Sequence, residues 1–511
     1  MKISLISVDG YISLGIRHLS SKLRSGGFKT RMVFFPYTVD DYFSERYIRE
    51  LCNLVSDSDV IGVSSMAYSA KKAIQIIGGL RPLKIPVVFG GVYPTTCPEE
   101  CIKHSDIICR GEGEGAINEF AERLKGGLDY LDVKNFWFSR GGHVSRNKVR
   151  PLISDLDSFP FPDYDNDEQF VWEPKKGFSK LAYRHIPGLN IPFGGFIIFN
   201  IRGCPYSCTY CVNETVQELY DRDIRVRRNS IPYIMRQLEY IFGLFPQIER
   251  VRIDDDTFFV RPLSEIKEFA SGYKARYKVP FECNADPKTL SEDKINILVD
   301  AGLRHIGMGI QSASEYINSE IFRRPFNQEL FMKAAQLMNR YTPELAVSYD
   351  FIVLNPYERK QDILDNIELI KKLPKPFRLS MNSMVFFPGT AAFDRAKAMG
   401  INTEDQRFTY FGLWTRFGEL RRIKAGTKNK YLNIIILLLH GHVNKERYGN
   451  IPSKVFNSIT NSKAIHLFND KLDGLMILFL NISRMMIYIA AKYTSSGQRQ
   501  YIKRIIRKIS I

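Results

Sequence analysis

IRGCPYSCTYC, residues 201–211, sets Cys204, Cys208 and Cys211 within eight residues in the spacing C-x3-C-x2-C. Thiolates are soft ligands that suit iron–sulfur clusters or zinc. A structural zinc site or a four-thiolate cluster needs four ligands, and no His or Cys stands near Cys211 to be the fourth. Three thiolates on a cubane leave one iron open to chelate a small molecule, so the loop reads as a reactive site. A zinc knuckle completed by a distant residue, or three unrelated thiols, are the competing readings. The other cysteines, Cys52, Cys97, Cys101, Cys109 and Cys283, are scattered, which argues against a disulfide framework. The start, MKISLISVDG, has no cleavage pattern and reads as a first strand rather than a signal peptide. Reduced thiols and a cytoplasmic location are the expectation.

The cysteine loop follows the first strand of an alternating block. Strands are expected at Gly195–Ile201, Arg250–Ile253, Phe281–Asn284, His305–Ile310, Ala346–Val353 and Leu379–Phe386, with amphipathic helices between them. Six β/α units have the size of a partial TIM-type barrel, with chemistry at the carboxyl ends of the strands. Upstream, Ile3–Val8, Thr30–Phe35, Asp59–Ser64, Pro86–Phe89 and Asp106–Cys109 alternate with helical patterns, as in a doubly wound parallel sheet. SRGGHVSRNK reads as a hairpin turn, and the Pro- and Asp-rich run DLDSFPFPDYDND as an irregular linker. The α/β chain thus divides into a sheet domain over 1–145, a linker over 146–190, the barrel over 191–400 and a helical region over 401–511.

Length and charge add bounds. At ~150 residues per domain, 511 residues suggest about three domains. Hydrophobic residues make up 44% and charged residues 25%, which excludes a disordered or collagen-like chain. The net charge of +17 suits an acidic partner without choosing one. Near the end, IKRIIRKI sets Ile502, Ile505, Ile506 and Ile509 on one helical face and cations on the other. Two readings stay open: a membrane-surface helix and a helix packed on the protein with a solvated basic face. Leu475–Ala491 is too short and too polar to span a membrane.

With Tyr210 as its aromatic, the cysteine motif resembles that of the radical S-adenosylmethionine (SAM) enzymes, C-x3-C-x-aromatic-C. The resemblance implies a [4Fe–4S] cluster on Cys204, Cys208 and Cys211. Its open iron chelates SAM, and one electron releases a 5′-deoxyadenosyl radical. RIDDDTFF ends the second barrel strand, where the family binds the SAM amino group; Asp255 is the first choice, with Asp254 or Asp256 as alternatives and a helix N-cap as the plain one. GMGIQS, carrying Gln311 and Ser312, resembles the ribose- and carboxylate-contacting segment. DFIVLNPYE resembles the segment written GxPGE: Asn355, Pro356 and Glu358 keep the register, while Leu354 and Tyr357 replace glycines.

GGVYPTTCPEE and DIICRGEGEGAINEF resemble the amino-terminal domain of the cobalamin-binding radical SAM subfamily. Ser64, Ser65, Gly90, Gly91, Tyr93 (for the usual His), Pro94, Gly111 and Glu112 are the implied cofactor contacts. The first loop, Asp9–Gly15, has no His, so cobalt would lack a histidine ligand from it; a vestigial domain without cofactor is the alternative. His18, in the next helix, reads as a surface or packing residue. The subfamily implies methyl transfer from methylcobalamin to an unactivated carbon, or else a radical cyclisation or rearrangement of a lipid or natural product. The expected partners are a small-molecule or lipid-linked substrate and a one-electron reductant of flavodoxin or ferredoxin type. RNA methylthiolation is the remaining alternative; no basic β-barrel follows the SAM region, and nucleic acid is not the expected partner.

Overall fold

The computed structural model describes residues 1–403, apart from Tyr11, 36–41, 174–175, 187–194 and 224–225, together with Ile436 and Val443. The basic helix and the apolar stretch expected in the tail lie outside the described residues. Among the described residues no helix is long and apolar enough to cross a membrane. Two compact units result: one takes in Met1–Ile306, Phe322–Arg324 and the residues from Val385, the other Gly307–Ile321 and Pro325–Met384.

The first unit contains a nine-stranded sheet. Its strands are β1 (Lys2–Ser7), β2 (Lys29–Phe34), β3 (Val60–Ser64), β4 (Val87–Gly90), β5 (Ile107–Cys109), β6 (Phe136–Arg140), β7 (His143–Arg146), β8 (Gln169–Glu173) and β9 (Gly177–Lys180). All five upstream strands expected from the sequence are present. The spatial order is β7-β6-β5-β4-β3-β1-β2-β8-β9. β1 pairs in parallel with both β2 and β3, so the chain winds outward in opposite directions from β1. That reversal is a topological switch point, where neighbouring loops diverge and open a crevice at the strands' carboxyl ends.

Side chains of a strand alternate between faces, and β1 has a core on both. Ile3 and Leu5 join one apolar cluster with Ile16, Leu23, Ile117 and Phe120. Ile6 and Val8 join the other with Leu51, Val55, Ala73 and Ile77. The helices Leu14–Ser25 and Glu114–Lys125 therefore cover one face, and Glu45–Val55 and Ala70–Leu80 the opposite one.

The hairpin is confirmed as the antiparallel pair β6–β7. The linker is partly corrected: β8 pairs in parallel with β2, and β9 folds back on β8. QFVWE is a short apolar run with Val171 and Trp172 both buried, and the preceding Pro- and Asp-rich run hides so short an edge strand. Within that run Asp163 is buried, accepts a hydrogen bond from the Ser20 hydroxyl and pairs with Arg24 at 2.8 Å. The run is thereby pinned to the first helix.

The barrel block supplies β10 (Phe196–Ile198), β11 (Ile201–Arg202), β12 (Arg227–Arg228), β13 (Val251–Ile253), β14 (Phe281–Ala285), β15 (Leu303–Gln311), β16 (Ala346–Val353) and β17 (Arg378–Ser383). In the first unit β10, β13 and β14 run parallel; in the second β16 and β17 do. The expected first strand is interrupted: after Ile198 the chain leaves the sheet and forms a small antiparallel ribbon, β11–β12, with Arg202 opposite Arg227.

Gly111 has φ +72, and a Cβ there would run into the Tyr220 hydroxyl. Gly111→Ala is expected to destabilise the protein by about 1–3 kcal/mol, read as a lower urea midpoint; an unchanged midpoint would show that this close approach is not needed.

Candidate cofactor site

The cysteine loop is held by its backbone. The Cys211 N–H donates to Cys208 O at 3.0 Å, Thr209 N–H to Phe322 O at 2.9 Å, and the Gln217 amide to Cys204 O at 2.6 Å. The Tyr210 ring meets Phe322 edge to face at 4.7 Å, so the motif's aromatic packs the loop down. All three cysteines are free thiols. Burial pushes Cys204 up to about 11 and Cys211 up to about 12; a positive metal centre would overcome that. Among the described residues no three His, Cys, Asp or Glu side chains form a preassembled metal cage. The donor set, three thiols on one short loop with none tied into a disulfide, fits a three-cysteine cluster.

The three aspartates after β13 have separate tasks. Asp255 is fully buried, and its Oδ1 accepts the N–H groups of Asn200 (2.6 Å) and Ile201 (2.9 Å). It fastens the chain leaving β10, and burial raises its carboxyl to about 6. Asp254 pairs with Arg252 at 2.9 Å. Asp256 is exposed, accepts from the Asn213 amide at 2.7 Å and acts electrostatically on Cys204 and Cys211. Asp255 thus fastens the backbone through one oxygen, while Asp256 is exposed by its surface area although its surroundings raise its carboxyl to about 6 as well.

In the second unit, GMGIQS and NPYE are bound together by a residue that sequence reading missed. Asn366 Oδ1 accepts from Ala313 N–H at 2.6 Å and lies 3.3 Å from Ser312 Oγ, while its amide donates to Glu358 Oε1 at 3.0 Å. Ser312 is fully buried, and Asn355 Oδ1 accepts from Tyr357 N–H at 3.1 Å. Ser312, Asn355 and Glu358 are therefore engaged internally, while Gln311 is half-buried at φ +68. Leu354, standing where the family pattern has glycine, keeps the left-handed φ of +54 that glycine would adopt freely. Asn366 lies in the helix Lys360–Lys372, where nothing local marks a buried amide.

A cavity of about 520 Å³ lies within the first unit. The sheet's switch-point edge contributes Ser64, Gly90, Gly91 and Gly111, and the flanks of the cysteine loop contribute Gly203, Asn213 and Asp256. At Gly91, φ is +99 and a Cβ would meet Ser65 O at 2.7 Å, so glycine lets the two loops close together. Ser65 and Pro94 are buried without lining the cavity, and Tyr93 turns toward Phe89 at 6.4 Å. Asp9 reaches Met66 N–H at 3.1 Å and the Ser69 hydroxyl, so the first loop braces the loop after β3. His18 differs from expectation: it lines the cavity, its Nδ1 is buried without a partner, and burial lowers it to about 4. An apolar, glycine-edged cavity holding a neutral imidazole fits a corrinoid.

Glu112 is engaged in ion pairs. Arg202 lies 2.6 Å from Glu114 and 3.2 Å from Glu112, and Arg227 also pairs with Glu112. Burial would raise the Glu114 carboxyl, but Arg202 outweighs it and holds it below the usual range.

Residues 5–121 match the family model of the B12 binding domain, and residues 200–370 that of the Radical SAM superfamily. The chain is a cobalamin-binding radical SAM protein, with a [4Fe–4S] cluster, SAM and cobalamin as its cofactors. It is 23% identical over 351 residues to an uncharacterized methyltransferase of Pyrococcus horikoshii, covering 67% of this chain and 70% of that one. It is 21% identical to bacteriochlorophyllide d C-8(2)-methyltransferase of Chlorobaculum tepidum, over 83% and 86% of the two chains. Among solved structures, the cobalamin-dependent SAM radical enzyme OxsB shares the fold, with TM-score 0.66 at 15% identity over 100% of this chain and 84% of that one. The radical SAM methyltransferase TsrM of Kitasatospora setae gives 0.60 at 14% over 78% and 76%.

Asp255→Ala, which strands two buried N–H groups, is expected to cost about 1–3 kcal/mol and leave SAM affinity nearly unchanged in folded protein. Asp256→Asn is expected to do the reverse; calorimetry with SAM and urea titration distinguish them. Burial and Asp362 raise the Glu358 carboxyl from 4.5 to about 8. The folded state then keeps a proton that the unfolded state releases, so this contribution is full below pH 4.5 and declines as pH rises toward 8. Glu358→Gln is expected to flatten that decline in urea midpoints taken across the range.

Proposed function

We propose that this chain transfers a methyl group to an unactivated sp³ carbon of a small molecule. The observation carrying the reading is the shared cavity, bordered by the B12-type sheet on one side and the cysteine loop on the other. Both methyltransferase relatives support methyl transfer over cyclisation, and the C. tepidum relative is named for methylation at carbon. When bound, cluster and SAM supply a 5′-deoxyadenosyl radical, and cobalamin supplies a transferable methyl group. Cys204, Cys208 and Cys211 hold the cluster, and Asp256 receives the SAM ammonium. Leu14, Leu19 and Val216 line the cavity with hydrocarbon and keep water from the radical. The +17 charge suits an acidic flavodoxin- or ferredoxin-type donor, and the basic tail suits a lipid-linked substrate.

A second reading, RNA methylthiolation, is favoured by one observation: 27% identity over 184 residues to a tRNA-2-methylthio-N(6)-dimethylallyladenosine synthase of Sulfurihydrogenibium sp., covering 34% of this chain and 39% of that one.

Anaerobic reconstitution with iron, sulfide and hydroxocobalamin is expected to load one corrinoid per chain. With SAM, a one-electron reductant and extracted lipids, 5′-deoxyadenosine and S-adenosylhomocysteine should form together, because one SAM supplies the radical and another the methyl group. 5′-Deoxyadenosine alone would favour cyclisation, and methylthiolated tRNA the second reading. No corrinoid uptake would end the cobalamin-dependent reading, and no 5′-deoxyadenosine the radical one.

A further inference from the structure

The segment Phe322–Arg324 lies against the cysteine loop inside the first unit. Phe322 takes the Thr209 N–H and packs on Tyr210, and Arg323 turns the chain at φ +48. Arg324 follows, with only 14% of its side chain exposed. Its guanidinium pairs with Asp286 at 3.1 Å and stands 5.7 Å from the centre of the Tyr206 ring. The Tyr206 hydroxyl donates to the other Asp286 oxygen at 2.6 Å. Asp286, at the end of β14, thus holds both a loop residue between Cys204 and Cys208 and the arginine. From there, against the residue midway between Cys204 and Cys208, the guanidinium acts electrostatically on both thiols. Arg324 stands outside the C-x3-C-x2-C motif and outside the segments expected to contact SAM.

We propose that Arg324 is a positioning residue that sets the reduction potential of the cluster held by Cys204, Cys208 and Cys211, through a fixed positive charge at Cys208. The inference rests on the three-cysteine cluster assigned above. Reduction adds one electron, supplied by the external one-electron donor, and no proton, so the cluster gains one negative charge. A cation in a poorly solvated position stabilises the more negative state and raises the potential. Asp286 partly offsets that charge and fixes its position, and Tyr206 orients Asp286.

The test is potentiometric titration of the reconstituted, SAM-free protein, followed by the EPR signal of the reduced cluster. Arg324→Gln is expected to shift the midpoint to more negative values, and Arg324→Lys to stay near the parent because the charge is kept. Asp286→Asn, which removes the anion and leaves the cation, should shift it the opposite way. If Arg324→Gln takes up no cluster, the Asp286→Asn shift decides. A parent midpoint in Arg324→Gln, equal shifts in the Gln and Lys variants, a negative or absent shift in Asp286→Asn, or an effect confined to SAM affinity would each overturn the proposal. Failure of the parent protein to hold any three-cysteine cluster would overturn instead the reading on which it rests.

Discussion

Two arginines face each other across the ribbon β11–β12, and like charges so placed repel. Arg202 and Arg227 coexist because Glu112, in the segment after β5, pairs with both, and Glu114 pairs with Arg202 as well. Arg202 is two residues from Cys204, so the carboxylates fix the start of the cluster loop relative to the cobalamin-type sheet. A buried ion pair adds little net stability, but removing one partner leaves an uncompensated charge costing about 3–5 kcal/mol. The Gly-Glu-Gly-Glu run therefore acts chiefly as a registration device. Its first glycine admits the Tyr220 hydroxyl, which accepts the Glu112 N–H at 2.8 Å.

That registration gives the cavity its two kinds of wall. The switch point between β1 and β3 opens the crevice, and glycine at position 91 lets the loops approach. Asp9 binds the loop after β3 through the Met66 N–H and the Ser69 hydroxyl. Asp255 does comparable work on the cluster side by taking the two N–H groups where the chain leaves β10. Carboxylates accepting backbone N–H groups, the half-buried Asp9 and the buried Asp255, fasten both halves.

Much of the fold was legible because its strands carry strong local signals. Ala346–Val353 matches residue for residue, and the other barrel strands overlap their expected positions. The expected first barrel strand was overlong, since apolar residues continue through the point where Asp255 pulls the chain out of the sheet. The edge strands β8 and β9 were missed because they gain definition only by pairing with β2 and with each other. At the site, the three cysteines were legible by spacing alone. The choice among Asp254, Asp255 and Asp256 was not, because adjacent carboxylates differ only in what surrounds them.

The sequence alone determined the chemistry available: three thiols with no fourth partner, glycine-rich strand ends and two successive β/α blocks. Ligand type and hydrophobic period are local properties of the chain. Tertiary structure decided which polar groups are bound into the fold. Asp255, Ser312 and Glu112 make hydrogen bonds or ion pairs to segments distant in sequence, and Asp256, His18 and Arg324 likewise gain their surroundings from distant segments. Burial and charge pairing depend on those distant neighbours, and no local pattern encodes them.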